Sequence, residues 1–257
     1  MIFSLISGSS GNATLIVENN TLILLDCGAS GKRISQSIES LGFCCADLSA
    51  ILLTHEHIDH IQGAGILSRR FDIPIYTTKE TFSNINIGPI REENIKFITP
   101  NTPVEIGDVL VHPFSISHDA KNPVGYSFDL EAGKFSSLTD TGIITPEIYS
   151  AVKDSKYILL ESNHDKEMLQ FGNYPYPLKQ RILGNLGHLS NVVASKMAVK
   201  MMENGTEHIM LGHLSNENNT PEIAYKTTEN AILEKGGIIG RDVMLSVAKR
   251  YEITRLI

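Results

Sequence analysis

The densest group of chemically useful side chains in the sequence is the segment Thr54-His55-Glu56-His57-Ile58-Asp59-His60, which holds three of the nine histidines. Imidazole nitrogens and carboxylate oxygens on one short loop are donors that suit Zn²⁺ and similar divalent ions. An accidental histidine-rich turn is the alternative interpretation. Together these residues predict a metal site.

The elements around the segment should place its histidines at the end of a strand. Ala50-Ile51-Leu52-Leu53 is a short apolar run typical of a buried strand, and it ends directly before the segment. The apolar spacing that follows predicts a helix continuing to about Phe71. Alternate side chains share a face on an extended backbone, so His55 and His57 should point to one side. Asp59 and His60 would begin that helix and could face a second ion.

The rest of the chain alternates predicted strands with turns and helices. Two Thr-Pro-Glu triplets, beginning at Thr145 and Thr220, predict helix starts, because threonine caps a helix and proline is tolerated in its first turn. Helices are also predicted at 32–41 and from about residue 191 to residue 203. The further predicted strands cover residues 2–6, 13–17, 22–25, 73–76, 95–98, 109–117, 125–130, 135–139, 157–160 and 208–211.

Length and composition predict one globular domain over residues 1–257, since 42% of the residues are hydrophobic and no linker or repeat divides the chain. No apolar run is long enough for a membrane segment, and no signal-like start is present, which favours a cytoplasmic protein. The three cysteines suit buried or half-buried thiols in a reducing compartment. A net charge of −7 argues against a broadly basic surface, although bound cations would reverse the field locally.

These motifs resemble those of the metallo-β-lactamase superfamily. The matching positions are Asp26-Cys27-Gly28, His55-x-His57-x-Asp59-His60, His118, Asp140 in Thr139-Asp140-Thr141-Gly142, and His213. The resemblance extends from residue 7 to about residue 219. It implies an α/β fold, namely a four-layer αββα sandwich with the active site at one edge of the sheets.

The resemblance also implies a ligand set for two divalent metal ions. Zn²⁺ and Mn²⁺ are the expected ions and Fe²⁺ is a further option, because such donors accept all three. Asp26 would support the ligand loop through hydrogen bonds, with a simple turn-forming role as the alternative. His55, His57 and His118 would hold one ion, Asp59, His60 and His213 the other, and Asp140 would bridge them.

Two further residues indicate phosphodiester hydrolysis within this superfamily. Glu161, at a strand end, and His188, just before a helix, are similar to the arrangement in tRNase Z and the β-CASP nucleases. The resemblance implies that His188 contacts the scissile phosphate or protonates the leaving oxygen, and that Glu161 orients it. A helix-cap histidine and a charged strand end are the alternatives. His112 and His164 match no such motif and are expected to be structural.

The compact length points to one subfamily. Only 26 residues separate Glu161 from His188, too few for a β-CASP insertion. The motifs at 7–12 and 213–219 are similar to the YycJ/WalJ-type subfamily, which implies cleavage of DNA as a 5′-to-3′ exonuclease. Between residues 165 and 200, five basic side chains outnumber two acidic ones, as DNA binding would require. The candidate substrate-binding residues are Ser9, Ser10, Asn12, Ser215 and Asn216. An ordinary turn is the alternative for the loop at 7–12.

The expected mechanism is attack on phosphorus by a metal-bridging hydroxide. Asp59 would orient the nucleophile and His188 would protonate the leaving oxygen. Hydrolysis of small or cyclic phosphodiesters is the alternative function, because an acidic surface would not hinder it. A regulatory or scaffolding protein is disfavoured by the complete ligand set. A thioesterase or lactonase is disfavoured because neither reaction needs His188 or Glu161.

Overall fold

The polypeptide forms fourteen β-strands and nine α-helices, described for all residues Met1–Ile257 in a computed structural model. The chain divides into two units, which are described in turn. Unit 1 contains Met1–Ser115, Ala120–Glu131 and Lys249–Ile257. Unit 2 contains Ile116–Asp119 and Ala132–Ala248.

Unit 1 includes a mixed seven-stranded sheet. Its strands are β1 (Ile2–Ile6), β2 (Ala13–Glu18), β3 (Thr21–Leu25), β4 (Leu48–Leu52), β5 (Ile75–Thr77), β6 (Ile95–Phe97) and β14 (Thr254–Arg255). They lie in the order β14-β1-β2-β3-β4-β5-β6. The pairs from β14 to β3 are antiparallel, and the pairs from β3 to β6 are parallel. Because parallel strands end at the same edge, the loops after β3 and β4 are neighbours.

A three-stranded antiparallel meander and four helices complete unit 1. They are β7 (Val104–Ile106), β8 (Val109–Ser115), β9 (Val124–Asp129), α1 (Gly31–Ser40), α2 (Ile58–Ile61), α3 (Ala64–Phe71) and α4 (Lys79–Phe82). The start of β9 braces the loop after β4, since Val124 N donates to Thr54 O at 3.0 Å and the Tyr126 hydroxyl donates to Leu53 O at 2.9 Å. The start of the loop at Thr54 is therefore held by two hydrogen bonds from β9.

Unit 2 alternates parallel strands with helices. Its elements are β10 (Phe135–Leu138), α5 (Pro146–Val152), β11 (Tyr157–Glu161), α6 (Lys166–Phe171), α7 (Tyr176–Leu183), α8 (Asn191–Glu203), β12 (His208–Gly212), α9 (Pro221–Glu234) and β13 (Met244–Val247). Strands β10 to β13 are parallel to their neighbours in chain order. The side chains of Thr145 and Thr220 cap α5 and α9 by accepting from Ile148 N and Ile223 N. Both helix starts predicted from Thr-Pro-Glu are confirmed, as is α8.

Each strand predicted from the sequence is present, with ends shifted by up to two residues. The prediction of one continuous helix from the ligand loop to Phe71 is wrong, because α2 ends at Ile61 and α3 begins at Ala64. The break follows from close packing at Gly63, where Gly63 N donates to Cys27 O at 2.8 Å. A Cβ at Gly63 would lie 2.5 Å from Ala29 O.

The cysteines depart from expectation at one position. Cys27 and Cys45 are buried, as predicted, but Cys44 is exposed. It precedes a short 3-10 turn that packs only Cys45 inward. All three thiols are free. Among the helices, none has the length and apolar character required for a membrane crossing.

Candidate metal and catalytic centre

The loop between β4 and α2 carries four of the predicted ligands in unit 1. His55 and His60 are fully buried, whereas His57 and Asp59 are half-buried. His55 Nε2 lies 3.0 Å from His57 Nδ1, and His60 Nε2 lies 3.5 Å from Asp59 Oδ2. These short separations bring nitrogen and carboxylate donors together, as metal coordination requires.

Asp26 fixes this loop through hydrogen bonds to Thr54 and His60. Its carboxylate accepts from Thr54 N at 2.9 Å, from the Thr54 hydroxyl at 3.1 Å and from His60 Nδ1 at 2.8 Å. Burial raises the pKa of Asp26, and the opposing influence of His60 and the Thr54 hydrogen bonds does not cancel it. The contact with Nδ1 leaves His60 Nε2 facing the other donors, which is the usual role of a carboxylate behind a ligand histidine.

The loop between β1 and β2 packs directly on the ligand loop. Asn12 N donates to Asp59 O at 2.8 Å, and Asn12 Nδ2 lies 3.2 Å from His60 Nε2. Gly28 allows this approach, since a Cβ there would lie only 1.7 Å from Asp59 O. The same Asn12 side chain also bonds Gly8 N and Gly8 O at 3.1 Å. Asn12 is thus buried within the loop, whereas Ser9 and Ser10 are exposed at its tip.

Unit 2 brings its predicted ligands together from separate loops. Asp140 Oδ1 lies 3.4 Å from His213 Nε2 and 3.8 Å from His118 Nε2. All three residues are buried. His118 Nδ1 faces Gly187 O at 3.3 Å, and burial lowers the pKa of His118 although Asp140 opposes the shift. Asp140, Glu161, His188 and His213 offer ligand atoms that all lie within 4.8 Å of one another.

Glu161 is the organiser of this second cluster. Its Oε1 lies 2.8 Å from both His188 Nδ1 and His213 Nδ1. Its Oε2 accepts from Leu189 N at 3.0 Å and from Thr141 N at 3.1 Å. Burial alone would raise the pKa of Glu161, but the two histidines hold it well below its usual range. The sequence suggested the contact with His188, and the contact with His213 was missed.

Three predicted site residues have left-handed backbone conformations. Asp26, Asp140 and His213 have φ angles of 60°, 58° and 55°. Such conformations cost about 1–3 kcal/mol each, less for Asp than for His, and they cluster at functional positions. At His213 the backbone is fixed by Asn163, whose Nδ2 donates to His213 O at 2.9 Å. These left-handed turns set the direction in which the side chains of Asp26, Asp140 and His213 leave the strand ends.

A buried amide network, absent from the sequence predictions, connects three loops of unit 2. Asn191 and Asn219 exchange hydrogen bonds of 2.9 Å, and the Ser162 hydroxyl donates to Asn191 Oδ1 at 2.7 Å. Asn219 Nδ2 also reaches Ser162 O at 2.8 Å. These bonds tie the loop after β11 to the start of α8 and the loop after β12. The asparagine-rich run at 216–219 was the available signal.

The other residues noted in the sequence analysis, Ser215, Asn216, His112 and His164, differ in their surroundings. Ser215 is buried and its hydroxyl accepts from Asn218 N at 3.2 Å, while Asn216 is exposed. His112 bonds Asp129 at 2.8 Å on β8 and β9. His164 is 1% exposed, neither ring nitrogen has a hydrogen-bond partner, and burial lowers its pKa to about 4.

The donor sets in both units fit divalent metal ions. Unit 1 has two close pairs of donors, His55 with His57 and His60 with Asp59, and unit 2 has four donors that converge. Each unit also has a buried carboxylate that contacts Nδ1 of a candidate ligand histidine. Such mixed nitrogen and oxygen sets suit Zn²⁺, Mn²⁺ and Fe²⁺. Asp26 and Glu161 provide the outer hydrogen bonds that metal-binding histidines usually have.

Comparison with known proteins agrees with this chemistry. A profile described as "Beta-lactamase superfamily domain" matches residues 21–213. The chain is 37% identical over 239 residues to "Exodeoxyribonuclease YycJ" of Bacillus anthracis, covering 92% of this chain and 90% of the relative. It is 36% identical over 242 residues to "Exodeoxyribonuclease WalJ" of Streptococcus pneumoniae, covering 93% and 90%. The chain belongs to the YycJ/WalJ branch of the metallo-β-lactamase superfamily.

The fold of this metallo-β-lactamase family member has a solved counterpart. The metallo-β-lactamase fold protein YhfI of Bacillus subtilis aligns with a TM-score of 0.73 and 16% identity, covering 99% of each chain. The predicted four-layer αββα fold is therefore confirmed. As a member of this superfamily, the protein is a metal-dependent hydrolase.

Proposed function

We propose that this metallo-β-lactamase family member is a DNA exonuclease that hydrolyses phosphodiester bonds from the 5′ end. The observation that carries the proposal is the contact of 2.8 Å between the buried Glu161 carboxylate and the half-buried His188, beside Asp140. Two relatives named as exodeoxyribonucleases, 36–37% identical over about nine-tenths of their length, support DNA as the substrate.

The proposed cofactor is a pair of divalent ions, Zn²⁺ or Mn²⁺, with Fe²⁺ as a further option. When bound, the ions would act as Lewis acids and would activate water for attack on phosphorus. Family resemblance supports this assignment, together with the close donor pairs of unit 1 and the four converging donors of unit 2. His55, His57 and His118 would hold one ion, Asp59, His60 and His213 the other, and Asp140 would be shared.

His188 would supply the proton for the leaving group. Its Nδ1 is occupied by Glu161, so Nε2 is the ring atom that can donate a proton to the 3′ oxygen released when the P–O3′ bond breaks. Its side chain is 18% exposed, which allows contact with a substrate. Glu161 would keep the imidazole oriented through its contact with Nδ1. Asp59 would orient the attacking water.

We propose that the two units belong to one catalytic domain, which spans residues 1–257 and has no β-CASP insertion. The segment between Glu161 and His188 contains only α6 and α7, of six and eight residues. Free thiols at all three cysteines suit the reducing cytoplasm, which we propose as the location.

The decisive experiment is digestion of 5′-phosphorylated duplex DNA by metal-reconstituted protein. We expect release of 5′-mononucleotides and about two bound ions per chain. His188→Gln should turn over DNA roughly 100-fold to 10,000-fold more slowly than the parent protein, with its ion content retained. His112→Gln is the matched control, because His112 lies on β8 and bonds Asp129.

Two outcomes would overturn parts of this proposal. Hydrolysis of bis(p-nitrophenyl) phosphate without any DNA cleavage would favour the second candidate, a hydrolase of small or cyclic phosphodiesters, which the net charge of −7 also suits. Mononucleotides released from a 3′ end label before a 5′ end label would contradict the proposed polarity.

A further inference from the structure

The last residues of the chain lie against the loop between β1 and β2 in unit 1. Arg250 Nη1 donates to the Ser10 hydroxyl at 3.4 Å. Arg33, in the first turn of α1, donates to Tyr251 O at 3.2 Å, and its guanidinium lies 5.0 Å from the centre of the Tyr251 ring. We refer to Ser9, Ser10, Arg33, Arg250 and Tyr251 as the terminal basic cluster.

The terminal basic cluster has the opposite charge to the protein as a whole. Lys249–Ile257 contains three cationic side chains and one acidic side chain, in a protein of net charge −7. That carboxylate, Glu252, is already paired with Lys249. Exposed Lys32 precedes Arg33, and the first turn of α1 contains no acidic residue. An anionic ligand would meet a local excess of positive charge here.

The terminal basic cluster is also accessible, and its surface is suited to a planar group. The Tyr251 residue is 63% exposed, and the guanidinium of Arg33 holds the ring through a cation–π contact. Ser9 and Ser10 are exposed at the loop tip. Arginine, hydroxyl groups and an exposed aromatic ring are the combination with which proteins bind phosphates and stack on bases.

The same loop connects this cluster to the ligand loop. Asn12 N donates to Asp59 O at 2.8 Å, and Gly28 N donates to Asn12 O at 2.8 Å. Ser10 and Asn12 are two residues apart, so their Cα atoms are separated by at most about 7 Å. The cluster therefore lies beside the loop that carries His55, His57, Asp59 and His60.

We propose that the terminal basic cluster binds a backbone phosphate of the nucleic-acid substrate, next to the bond that is hydrolysed. Arg250 contacts the phosphate together with the Ser9 and Ser10 hydroxyls, and Tyr251 stacks on a base. Arg33 positions Tyr251. This inference rests on the proposed nuclease function and adds a binding site for the strand that continues beyond the cleaved nucleotide.

The test compares Arg250→Gln and Tyr251→Ala with Arg91→Gln, a control that removes another exposed arginine of unit 1, paired with Asp72. Steady-state kcat and KM are measured for metal-reconstituted protein on a 5′-phosphorylated oligonucleotide at several salt concentrations. Bis(p-nitrophenyl) phosphate serves as the comparison substrate, because its only phosphate is the one that is hydrolysed and it has no neighbouring backbone phosphate for Arg250 to bind. Thermal melting of each variant monitors folding.

We expect KM for the oligonucleotide to rise about tenfold in Arg250→Gln, as for loss of a charge-assisted hydrogen bond. The slope of log KM against log salt should fall by about 0.7, corresponding to one phosphate contact. Tyr251→Ala should raise KM by about tenfold without changing that slope, because stacking is not ionic. Arg91→Gln should stay within twofold of the parent protein.

Three results would overturn the inference. If the parent protein degrades DNA but Arg250→Gln and Arg91→Gln have the same KM, the cluster binds no phosphate and the nuclease function stands. If Arg250→Gln lowers the melting temperature and weakens both substrates equally, its role is structural. If the parent protein hydrolyses only bis(p-nitrophenyl) phosphate, both the inference and the nuclease function fail.

Discussion

Asp26 in unit 1 and Glu161 in unit 2 are buried carboxylates at strand ends, and each lies 2.8 Å from the Nδ1 of a histidine. Asp26 bonds one histidine and Thr54, whereas Glu161 bonds two histidines and two backbone N–H groups. Burial raises the pKa of Asp26, while in Glu161 the second histidine helps to reverse the effect of burial and lowers the pKa. The number of histidine partners, and not burial alone, decides the direction in which the pKa of each buried carboxylate shifts.

Of the variants that test this comparison, we expect the one at Glu161 to have the largest effect, which is on turnover. Glu161→Gln should slow turnover about 1,000-fold, because one amide cannot replace the carboxylate contacts that orient both histidines. The variant is assayed for turnover of DNA and of bis(p-nitrophenyl) phosphate, with ion content measured in parallel. A loss smaller than about tenfold would show that the second histidine contact is unimportant.

His164 extends the comparison to a buried titratable group without hydrogen-bond partners. It is a buried imidazole of unit 2 whose two ring nitrogens make no hydrogen bond. Burial lowers its pKa to about 4 from 6.5, so the unfolded chain binds the proton first as the pH falls. Its contribution to the free energy of unfolding should be intact above pH 6.5 and decline by about 3 kcal/mol towards pH 4.

Urea unfolding of His164→Gln across this pH range tests that expectation. The pH dependence of stability should become flatter than in the parent protein. His112→Gln is the control, since His112 is partly exposed and bonded to Asp129. Equal slopes in the parent and His164→Gln proteins would contradict the prediction.

A smaller effect is expected at Asp26. Asp26→Asn should weaken metal binding about 10–100-fold, since it alters the partner of one ligand histidine. Activity should recover when metal is added in excess, which Glu161→Gln should not do. Titration of metal-free protein followed by activity measurement distinguishes the two variants. An Asp26→Asn protein that stays inactive at saturating metal would break the comparison.

The smallest effect should follow from loosening one backbone turn. Asn163→Ala removes the hydrogen bond to His213 O and should lower the free energy of unfolding by about 1 kcal/mol. Denaturant unfolding measures the change. Asn84→Ala is a suitable control, because Asn84 is exposed and its amide also donates to a backbone carbonyl. Equal losses in the two variants would remove any special role for Asn163.

Sequence reasoning succeeded where the determinants are local. The capped helices at Thr145 and Thr220 and the strand before Thr54 were readable because capping and alternation act over a few residues. It failed at Gly63, where approach of a distant backbone carbonyl breaks a regular helical pattern. The short helices α6 and α7 were missed because their apolar periodicity is weak over six and eight residues.

The ligand types and the family were determined by the sequence itself, because His55, His57, Asp59 and His60 occupy one short loop and need no long-range contact to be recognised. Only the tertiary structure decided that Glu161 joins His188 to His213, residues 25 positions apart in the chain. It also decided that Arg250 meets Ser10, across 240 positions. Such contacts depend on how strands and loops pack, and short-range patterns of residues do not encode them.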